Sequence, residues 1–309
     1  MLGQRTIAWS IVFGAGLSAF AVSCTHAAET APPTTGTTAP SPSTPEPSPS
    51  RPHSSAQPSP TPIPRTFDPK NFEAAGSDVN RWVPMAPGVQ VIKRGFVNVG
   101  GRRIPHITVT TITDVTKKID GVRAVLVLDQ DFDGGQLSEQ AVDYLAEDVG
   151  GNVWYLGSYT EAYEGGQFLN AQDAWLAGVN GAAAGLYFPG DPKPGSPPFF
   201  QVKVPGGEQS SAQVVKAGQR TCVPFDCFQD VVVVLEGGAE NKYWAPGVGG
   251  ILTEPLSGYA QETEELINVK ELSPAALAEL SAEVLKLDAN AARTVPSVFG
   301  PSAPAVRER

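Results

Sequence analysis

Seven pairs of adjacent glycines divide the central part of the chain, and the segments between them are rich in Val, Ile, Thr, Tyr and Trp. This pattern predicts antiparallel strands joined by tight turns, because glycine adopts the backbone conformations that hairpin turns require. No pair precedes Lys-Ser or Lys-Thr at the start of a helix, so we interpret the pairs as turns rather than phosphate-binding loops. The pairs are Gly100-Gly101, Gly134-Gly135, Gly150-Gly151, Gly165-Gly166, Gly206-Gly207, Gly237-Gly238 and Gly249-Gly250.

Two segments of this region have the pattern of central strands. Residues 122–128 are apolar on both faces apart from Arg123, and residues 231–235 are wholly apolar. Strands of this kind are covered on both sides of a sheet. Residues 103–111 alternate in part between apolar and polar side chains, which predicts a half-exposed strand.

A C-terminal amphipathic helix is the candidate cover for the second face of such a sheet. Ser273 is a good N-cap, Pro274 suits the first helical position, and Pro296 ends the pattern. The apolar stripe between them consists of Leu277, Leu280, Val284, Leu287 and Ala291. We therefore predict a mainly β (α+β) fold, a curved antiparallel sheet or sandwich with a C-terminal helix. The alternative is a helix appended outside the domain, behind a mobile acidic linker at residues 262–265.

The N-terminus has the pattern of an export signal. Arg5 precedes a mostly apolar run over residues 7–21, which is too short for a comfortable membrane span. The residues Ala21-Val22-Ser23-Cys24 then resemble a bacterial lipobox, although Ala21 stands where that motif usually has Leu. We expect Cys24 to be lipidated and to anchor the protein in the membrane. The alternative is cleavage after Ala27 or Ala28 and release of a secreted protein.

The composition divides the chain into five segments. Residues 30–66 are almost entirely Pro, Ser, Thr, Ala and Gly, so they bury too little apolar surface to order themselves. The predicted segments are a signal (1–24), a Pro/Ser/Thr-rich tether (25–66), a β-rich domain (67–258), a linker and helix (259–295) and a flexible tail (296–309). We expect the β-rich domain to lie in the cell envelope, outside the cytoplasmic membrane.

The acidic balance of the folded part bears on its partners. The whole chain has a net charge of −10, and residues 1–66 hold three Arg and two Glu, so the remainder carries 19 basic and 30 acidic residues. This balance argues against nucleic acid and anionic headgroups as partners.

Two cysteines remain in this part, Cys222 and Cys227, and Pro224 and Asp226 between them favour a turn. In an exported protein this spacing predicts a structural disulfide.

The β-rich part resembles a group of uncharacterised secreted or lipid-anchored bacterial proteins. The residues that carry the resemblance are Trp82-Val83-Pro84-Met85-Ala86-Pro87-Gly88, Asp120-Gly121-Val122-Arg123, Gly151-Asn152-Val153-Trp154-Tyr155-Leu156-Gly157, Trp175-Leu176-Ala177-Gly178-Val179, Cys222 to Cys227 and Lys242-Tyr243-Trp244-Ala245-Pro246-Gly247-Val248-Gly249. The resemblance covers about residues 67–255 and implies no activity. The last motif also looks like strands of curved-sheet lipoproteins that cradle apolar ligands.

Histidine and cysteine are too scarce to favour catalysis by a triad or by zinc. His106 is the one histidine of the folded part, it lies in an apparent strand, and the chain has no Gly-x-Ser-x-Gly motif. We therefore expect no catalytic residue. The remaining enzymatic alternative is a carboxylate-dependent hydrolase, which needs two facing carboxylates. The candidates are Glu139, Glu147, Asp173 and Glu236.

One acidic segment has the opening spacing of a calcium loop. Asp129, Asp131 and Asp133 alternate before Gly134, which is how oxygen ligands are spaced around Ca²⁺. The segment follows a strand and lacks Glu at position 12, which is Gln140, so a hairpin with exposed acids at its tip is the favoured interpretation. We expect no cofactor, with calcium as the alternative.

Aromatic residues are concentrated between positions 154 and 200. They suit either a packed core or a pocket for an apolar molecule or a sugar ring. The candidate ligand-binding residues are Trp154, Tyr155, Tyr159, Trp175 and Tyr187. We therefore predict an anchored, non-enzymatic binding module for an apolar ligand, an envelope glycan or an envelope protein. The alternatives are a hydrolase and a purely structural envelope lipoprotein.

Overall fold

The computed structural model describes residues 66–72, 80–171, 173–256 and 262–308. The predicted signal segment with Cys24, and the predicted tether up to residue 65, lie outside the described residues. Within the described ranges, no helix has the length and apolar character needed to cross a membrane.

The described part consists of fifteen strands and two helices after a short 3-10 turn at Pro69–Phe72. The strands are β1 (Val89–Val99), β2 (Arg102–Ile119), β3 (Val122–Asp133), β4 (Gln136–Glu147), β5 (Val153–Glu164), β6 (Gln167–Asn170), β7 (Ala174–Leu176), β8 (Gly185–Phe188), β9 (Phe199–Lys203), β10 (Gln209–Cys222), β11 (Cys227–Glu236), β12 (Glu240–Ala245), β13 (Gly249–Pro255), β14 (Thr263–Glu271) and β15 (Val306–Arg307). The helices are α1 (Pro274–Thr294) and α2 (Pro296–Phe299).

The strands form one antiparallel sheet built from two meanders, which confirms the predicted mainly β fold with a C-terminal helix. The order is β6-β5-β4-β3-β2-β1-β14-β13-β12-β11-β10-β9. The first six strands therefore run outward from β1 and the others from β14, and the two meanders meet where β1 pairs with β14. Strand β15 pairs with β2, while β7 and β8 both pair with β5.

The sheet is open, but its two ends approach each other. Strand β8 pairs with β5 near one end, and Ala183, just before β8, bridges to Lys203 of β9 at the other end. Gly185 permits this approach, because a Cβ on that residue would lie only 1.8 Å from the carbonyl oxygen of Gln201. The approach of the ends gives the sheet a concave inner face and a convex outer face.

Glycine pairs form four of the five turns of the first meander, as predicted, while Asp120 and Gly121 form the turn between β2 and β3. Gly134 and Gly135 connect β3 to β4 with φ of 58° and 83°, a conformation that side-chain-bearing residues rarely adopt. Gly249-Gly250 departs from the prediction, because these two residues begin β13 and pair with Ala245 and Trp244 instead of forming a turn.

Helix α1 covers the outer face. Successive side chains of a strand point to opposite faces, so Tyr144 of β4 points outward while its neighbour Asp143 points inward. The Tyr144 hydroxyl donates a hydrogen bond to Asp288 of α1 at 2.9 Å. The predicted stripe docks here, with Val284, Leu287 and Ala291 in the main hydrophobic core. Ser273 caps the helix, since its side chain accepts a hydrogen bond from the backbone of Ala276.

Two C-terminal predictions were wrong. Residues 263–265 of the acidic stretch, which was predicted as a linker, belong to β14, and this strand is hydrogen-bonded between β1 and β13. Its side chains alternate, so that Glu264 and Leu266 are buried while Glu265 is exposed. Residues 296–309 were predicted as a flexible tail, yet Phe299 of α2 is buried and β15 pairs with β2.

Candidate functional site

A cavity of about 150 Å³ lies on the concave face, between the two meanders. It is lined by strands from both halves of the sheet and by residues that precede β1. One part of its wall is apolar and another part is acidic. The apolar wall includes Val91, Ile112, Val127, Tyr155, Tyr187 and Trp244. The acidic wall includes Asp129, Asp131, Glu139, Asp143, Glu262 and Glu264.

The two-residue period of the strands explains how one face changes from apolar to acidic. On β3, the side chains that face the cavity are Val127, Asp129 and Asp131, while the intervening Leu126 and Leu128 are buried on the other face. On β2, the cavity is lined first by Ile112 and then by two threonines, Thr110 and Thr108. On β4 the order is Leu145, Asp143, Ala141 and Glu139. The strands are antiparallel and in register, so their polar ends lie side by side.

His106 lies beside the acidic wall and is fully buried. Its Nδ1 is 2.9 Å from Asp133 Oδ1, and its Nε2 is 3.0 Å from Thr108 Oγ1. Burial opposes the charged imidazolium, but the hydrogen bond to Asp133 and the charges of Glu262, Asp131 and Glu264 outweigh it and raise the pKa of His106 to about 9. Nε2 also lies 3.6 Å from Glu262 Oε1 and 3.8 Å from Glu264 Oε1. This residue is therefore a charged partner for the surrounding acids.

Glu264 is the most strongly held acid of the wall. Lys93 forms an ion pair with its Oε2, Thr108 donates a hydrogen bond to its Oε1, and Thr253 donates to Oε2 at 3.3 Å. Burial acts to raise the pKa of Glu264, but Lys93 and Thr108 outweigh it, so the pKa falls to about 2. The same contact and the nearby Asp129 hold the pKa of Lys93 above its ordinary value despite burial.

Lys242 of β12 is held by two acids behind the cavity wall. Its Nζ is 3.2 Å from Glu236 and 3.2 Å from Glu240, and these charges raise its pKa although burial acts to lower it. Burial raises the pKa of Glu240, whose Oε2 has no hydrogen-bond partner in the described part of the chain. Lys242 also lines the cavity, and its charge acts on four acids of the wall, namely Asp129, Asp143, Glu262 and Glu264.

Several acids of the cavity are compensated only in part, such as Asp131, whose Oδ1 lies 3.8 Å from His106 Nε2. Burial, together with the charge of Asp129, raises the pKa of Asp131 to about 7. Burial likewise raises the pKa values of Asp143 and Glu208 to about 7, and Asp143 accepts hydrogen bonds from Tyr155 and Ser158 at 2.6 and 2.9 Å. We refer to Asp131, Asp143 and Glu208 below as the high-pKa acids.

The pKa values of Glu139 and Glu262 are raised by their surroundings as well. Burial and the neighbouring Asp131 raise the pKa of Glu139 well above its usual value, and burial with the adjacent Glu264 does the same for Glu262. Glu139 lies directly opposite Asp131 in the pairing of β3 with β4. Like charges in directly opposed positions repel each other, so the two side chains disfavour simultaneous ionisation without a cation.

The predicted aromatic residues divide between the cavity and the core. Tyr155 and Tyr187 line the cavity, with ring centroids 5.8 Å apart, and Trp244 packs on Tyr187 at 5.7 Å. Trp154 and Trp175, the two tryptophans among the candidates, are buried but do not line the cavity.

The other predicted aromatics have structural contacts. Trp154 donates a hydrogen bond to Asp148 at 2.9 Å, and Trp175 packs edge-on against Tyr155. Tyr159 points to the outer face, where its ring packs on Phe299. The cavity-lining Trp244 belongs to a motif that the sequence analysis noted, but its place in the site was missed because no local signal shows which strands meet across the sheet.

The three aspartates predicted as a calcium loop lie within β3 instead of in a loop. They share one face, with Asp129 and Asp131 in the cavity wall and Asp133 against His106. The favoured interpretation, exposed acids at a hairpin tip, was wrong, because the tip is formed by Gly134 and Gly135. The strand geometry also removes the loop on which the calcium interpretation was based.

Three other side chains, beside the acidic wall, have ligand atoms that are suitable for a cation. One ligand atom each from His106, Glu262 and Glu264 lies within 4.8 Å of the other two. The sequence analysis missed Glu262 and Glu264 as site residues because it placed them in a linker. Glu262, Glu264 and Leu266 alternate along the chain, and this two-residue spacing was the signal that could have identified one face of a strand.

The four predicted hydrolase carboxylates do not lie together at one place. Glu139 and Asp173 line the cavity, whereas Glu236 accepts a hydrogen bond from Gln201 at 3.0 Å and an ion pair from Lys242. Glu147, at the end of β4, accepts a hydrogen bond from the backbone of Asn80.

The predicted disulfide between Cys222 and Cys227 is present at the end of the β10–β11 hairpin. It connects directly opposed residues at a turn, which is consistent with a structural role.

Comparison with known proteins gives only remote similarities. No protein-family model matches the sequence, and no curated protein matches it. One similar solved structure is a Bacteroides fragilis protein named as exported and as having a YmcC-like fold, with 14% identity, a TM-score of 0.34, and coverage of 62% of this chain and 100% of that one. Another is a Parabacteroides distasonis protein named as a lipoprotein, with 10% identity, a TM-score of 0.35, and coverage of 63% and 100%. Similarity at this level carries no argument about the function of this chain.

Proposed function

We propose that this protein is a non-enzymatic binding module of the cell envelope, which holds a small ligand inside the concave face of its sheet. The observation that carries the proposal is the cavity, whose wall combines apolar and aromatic side chains with polar groups. Ligand sites usually have this composition, with polar groups that orient the ligand and apolar groups that desolvate it. A filled interior would instead have favoured a purely structural lipoprotein.

The cavity volume limits the size of the ligand. Pockets for drug-sized molecules occupy roughly 300–1,000 Å³, and an apolar cavity of about 150 Å³ can hold benzene. The volume here is about 150 Å³. The proposed ligand is therefore a single ring or a short chain, or the corresponding part of a larger molecule that extends out of the opening.

The location of the module rests on the sequence. The export signal, Cys24 and the tether support attachment to the outer face of the cytoplasmic membrane, with secretion as the alternative. A tether before the folded part would hold the cavity away from the bilayer, where it would meet envelope components.

A cavity-filling substitution tests the binding proposal. Ala141 lies in the cavity wall between Asp143 and Glu139, so Ala141→Leu should fill part of the space and weaken binding of 2-phenylethanol, a small neutral aromatic probe, by at least about tenfold. Ala282→Leu, on the exposed face of α1, is the matched control and should leave the affinity unchanged. Isothermal titration calorimetry measures both, and native mass spectrometry of protein from its own host detects a retained ligand. Equal affinity in Ala141→Leu and wild type would contradict the proposal.

A carboxylate-dependent hydrolase is the second candidate, and one observation favours it. Glu262 and Glu264 lie two residues apart, and their surroundings shift their pKa values in opposite directions. A protonated acid beside an ionised carboxylate is the arrangement that glycoside hydrolysis uses. Hydrolysis of nitrophenyl glycosides by the wild type, abolished in Glu262→Gln, would support this function over binding alone.

A further inference from the structure

The cavity wall holds more negative than positive groups. In the part of the chain that the structure describes, the six acids of the wall together with Asp173 and Glu208 make eight carboxylates. The lining cations are Lys93 and Lys242. Lys93 is paired with Glu264, and Lys242 is held by Glu236 and Glu240. His106, beside the wall, lies within 3.8 Å of three of its acids, so the eight carboxylates face three cationic side chains. Buried negative charge without a cation is costly, so the wall is matched to a ligand that brings positive charge.

Three acids of the wall are placed to receive that charge. Asp131 and Glu139 are directly opposed across β3 and β4, and Glu262 approaches the same region through its contact with His106. The carboxylate of Glu139 has no hydrogen bond or ion pair within the described residues, although it lines the cavity. An ammonium group has three N–H donors, so it suits a set of separate carboxylate acceptors.

The apolar wall determines what the cation must carry. Tyr155, Tyr187 and Trp244 pack edge to face in the same cavity, and they offer rings against which an apolar group is desolvated. A bare inorganic cation leaves this wall without a partner. An apolar molecule without charge leaves the acids without one.

A metal ion at the nearby histidine is less favoured by the contacts. Both oxygens of Glu264 already accept hydrogen bonds or an ion pair, and Nε2 of His106 lies at hydrogen-bond distance from Thr108. The ammonium of Lys93 is paired with Glu264, where it would repel a divalent cation. These groups satisfy one another and do not leave a set of free ligand atoms.

We propose that the ligand of this cavity is a small organic cation, a protonated amine that carries an apolar group. Its ammonium binds to Asp131, Glu139 and Glu262, and its apolar group packs against Tyr155, Tyr187 and Trp244. This inference rests on the binding function proposed above and specifies the chemical class of the ligand.

Three probes of similar size test the charge requirement on the unmodified protein. Calorimetric titration should show that 2-phenylethylamine binds at least about tenfold more tightly than neutral 2-phenylethanol, and that anionic 3-phenylpropionate binds more weakly than either. Equal binding of the amine and the alcohol would overturn the inference while leaving the binding function intact. Binding of none of the three would contradict both.

Two isosteric variants locate the charged contact. Glu139→Gln and Glu262→Gln should each weaken binding of 2-phenylethylamine about tenfold, with little effect on 2-phenylethanol. Glu283→Gln, exposed on α1 on the outer side of the sheet, is the matched control and should change neither affinity. Unchanged amine affinity in both cavity variants would overturn the proposed contact.

Titration with a metal salt is a separate test. Binding of calcium or zinc chloride at micromolar concentration, with loss of amine binding in its presence, would show that the site is a metal site and that the inference is wrong.

Discussion

Helix α1 is attached to the outer face through a buried carboxylate as well as through its apolar stripe, and removal of the carboxylate has a calculable effect on stability. Asp288 accepts hydrogen bonds from Lys117 at 2.8 and 3.0 Å, from Tyr144 at 2.9 Å and from the backbone of Ala305 at 2.9 Å. Lys117 and Asp288 are only 3% and 4% exposed. The carboxylate thus connects the helix to β2, β4 and the C-terminal segment at a site that water scarcely reaches.

The substitution Asp288→Ala leaves the charge of Lys117 buried without an anionic partner. Removal of one member of a buried ion pair typically costs about 3–5 kcal/mol. The Tyr144 hydroxyl and the Ala305 amide also lose their acceptor, and each unsatisfied group adds about 1–3 kcal/mol unless water enters. We therefore expect the free energy of unfolding to fall by at least about 3 kcal/mol.

Urea unfolding of the mature protein measures this loss, and two further variants control for it. Glu283→Ala changes an exposed acid of the same helix and should alter the free energy by less than about 0.5 kcal/mol. The double variant Lys117→Met/Asp288→Leu removes both charges and should recover at least half of the loss. A cost below about 1 kcal/mol for Asp288→Ala would refute the reasoning, because it would mean that the helix is not docked through this pair.

The other predictions concern pH, processing and the disulfide. The high-pKa acids stabilise the fold only while protonated, so their contribution to the free energy of unfolding is lost as pH rises from about 4 through 7. The contribution of His106 is lost as pH rises from 6.5 to about 9. Glu264 behaves in the opposite way, because its contribution is lost as pH falls from 4.5 to about 2. The free energy of unfolding should therefore decrease from about pH 5 to pH 9 at constant ionic strength, and an increase over that range would contradict the assignment. Cys24→Ala should abolish membrane fractionation, and a variant that still fractionates with membranes at normal mature size would exclude the anchor. Alkylation without reductant should leave Cys222 and Cys227 unmodified in freshly isolated protein, and two reactive thiols would exclude the disulfide.

Local patterns were sufficient to predict the two central strands, most of the glycine-pair turns and the helix. Residues 122–128 and 231–235 lie in β3 and β11, and both segments are almost fully buried, as continuous apolar runs predict. The apolar stripe that includes Val284 and Leu287 predicted the docked face of α1. These signals are local, since each depends on a few neighbouring residues and on the period of the backbone.

The cavity could not be predicted in the same way, because its residues come from strands far apart in sequence. Lys93 and Glu264 meet only because β1 pairs with β14, a contact between the two meanders that no short segment encodes. Strand β14 itself was missed because Glu is unfavourable in strands. The alternation of Asp129, Asp131 and Asp133 was visible, but it was assigned to a loop because acids on one strand face are usually exposed.

Buried acids on the two faces of the sheet differ in their partners, and this difference is the strongest reason to regard the acidic wall as functional. On the outer face, Asp288 is matched by Lys117 and Asp114 by Arg307. The buried Glu161 accepts hydrogen bonds from the hydroxyls of Tyr159 and Tyr163. On the inner face, the carboxylate of Glu139 has no such partner within the described residues. Net negative charge alone would be accommodated on the surface at little cost. Buried carboxylates without a compensating contact oppose folding, and such features are typical of binding and catalytic sites. A cationic ligand would supply the contact that these carboxylates lack.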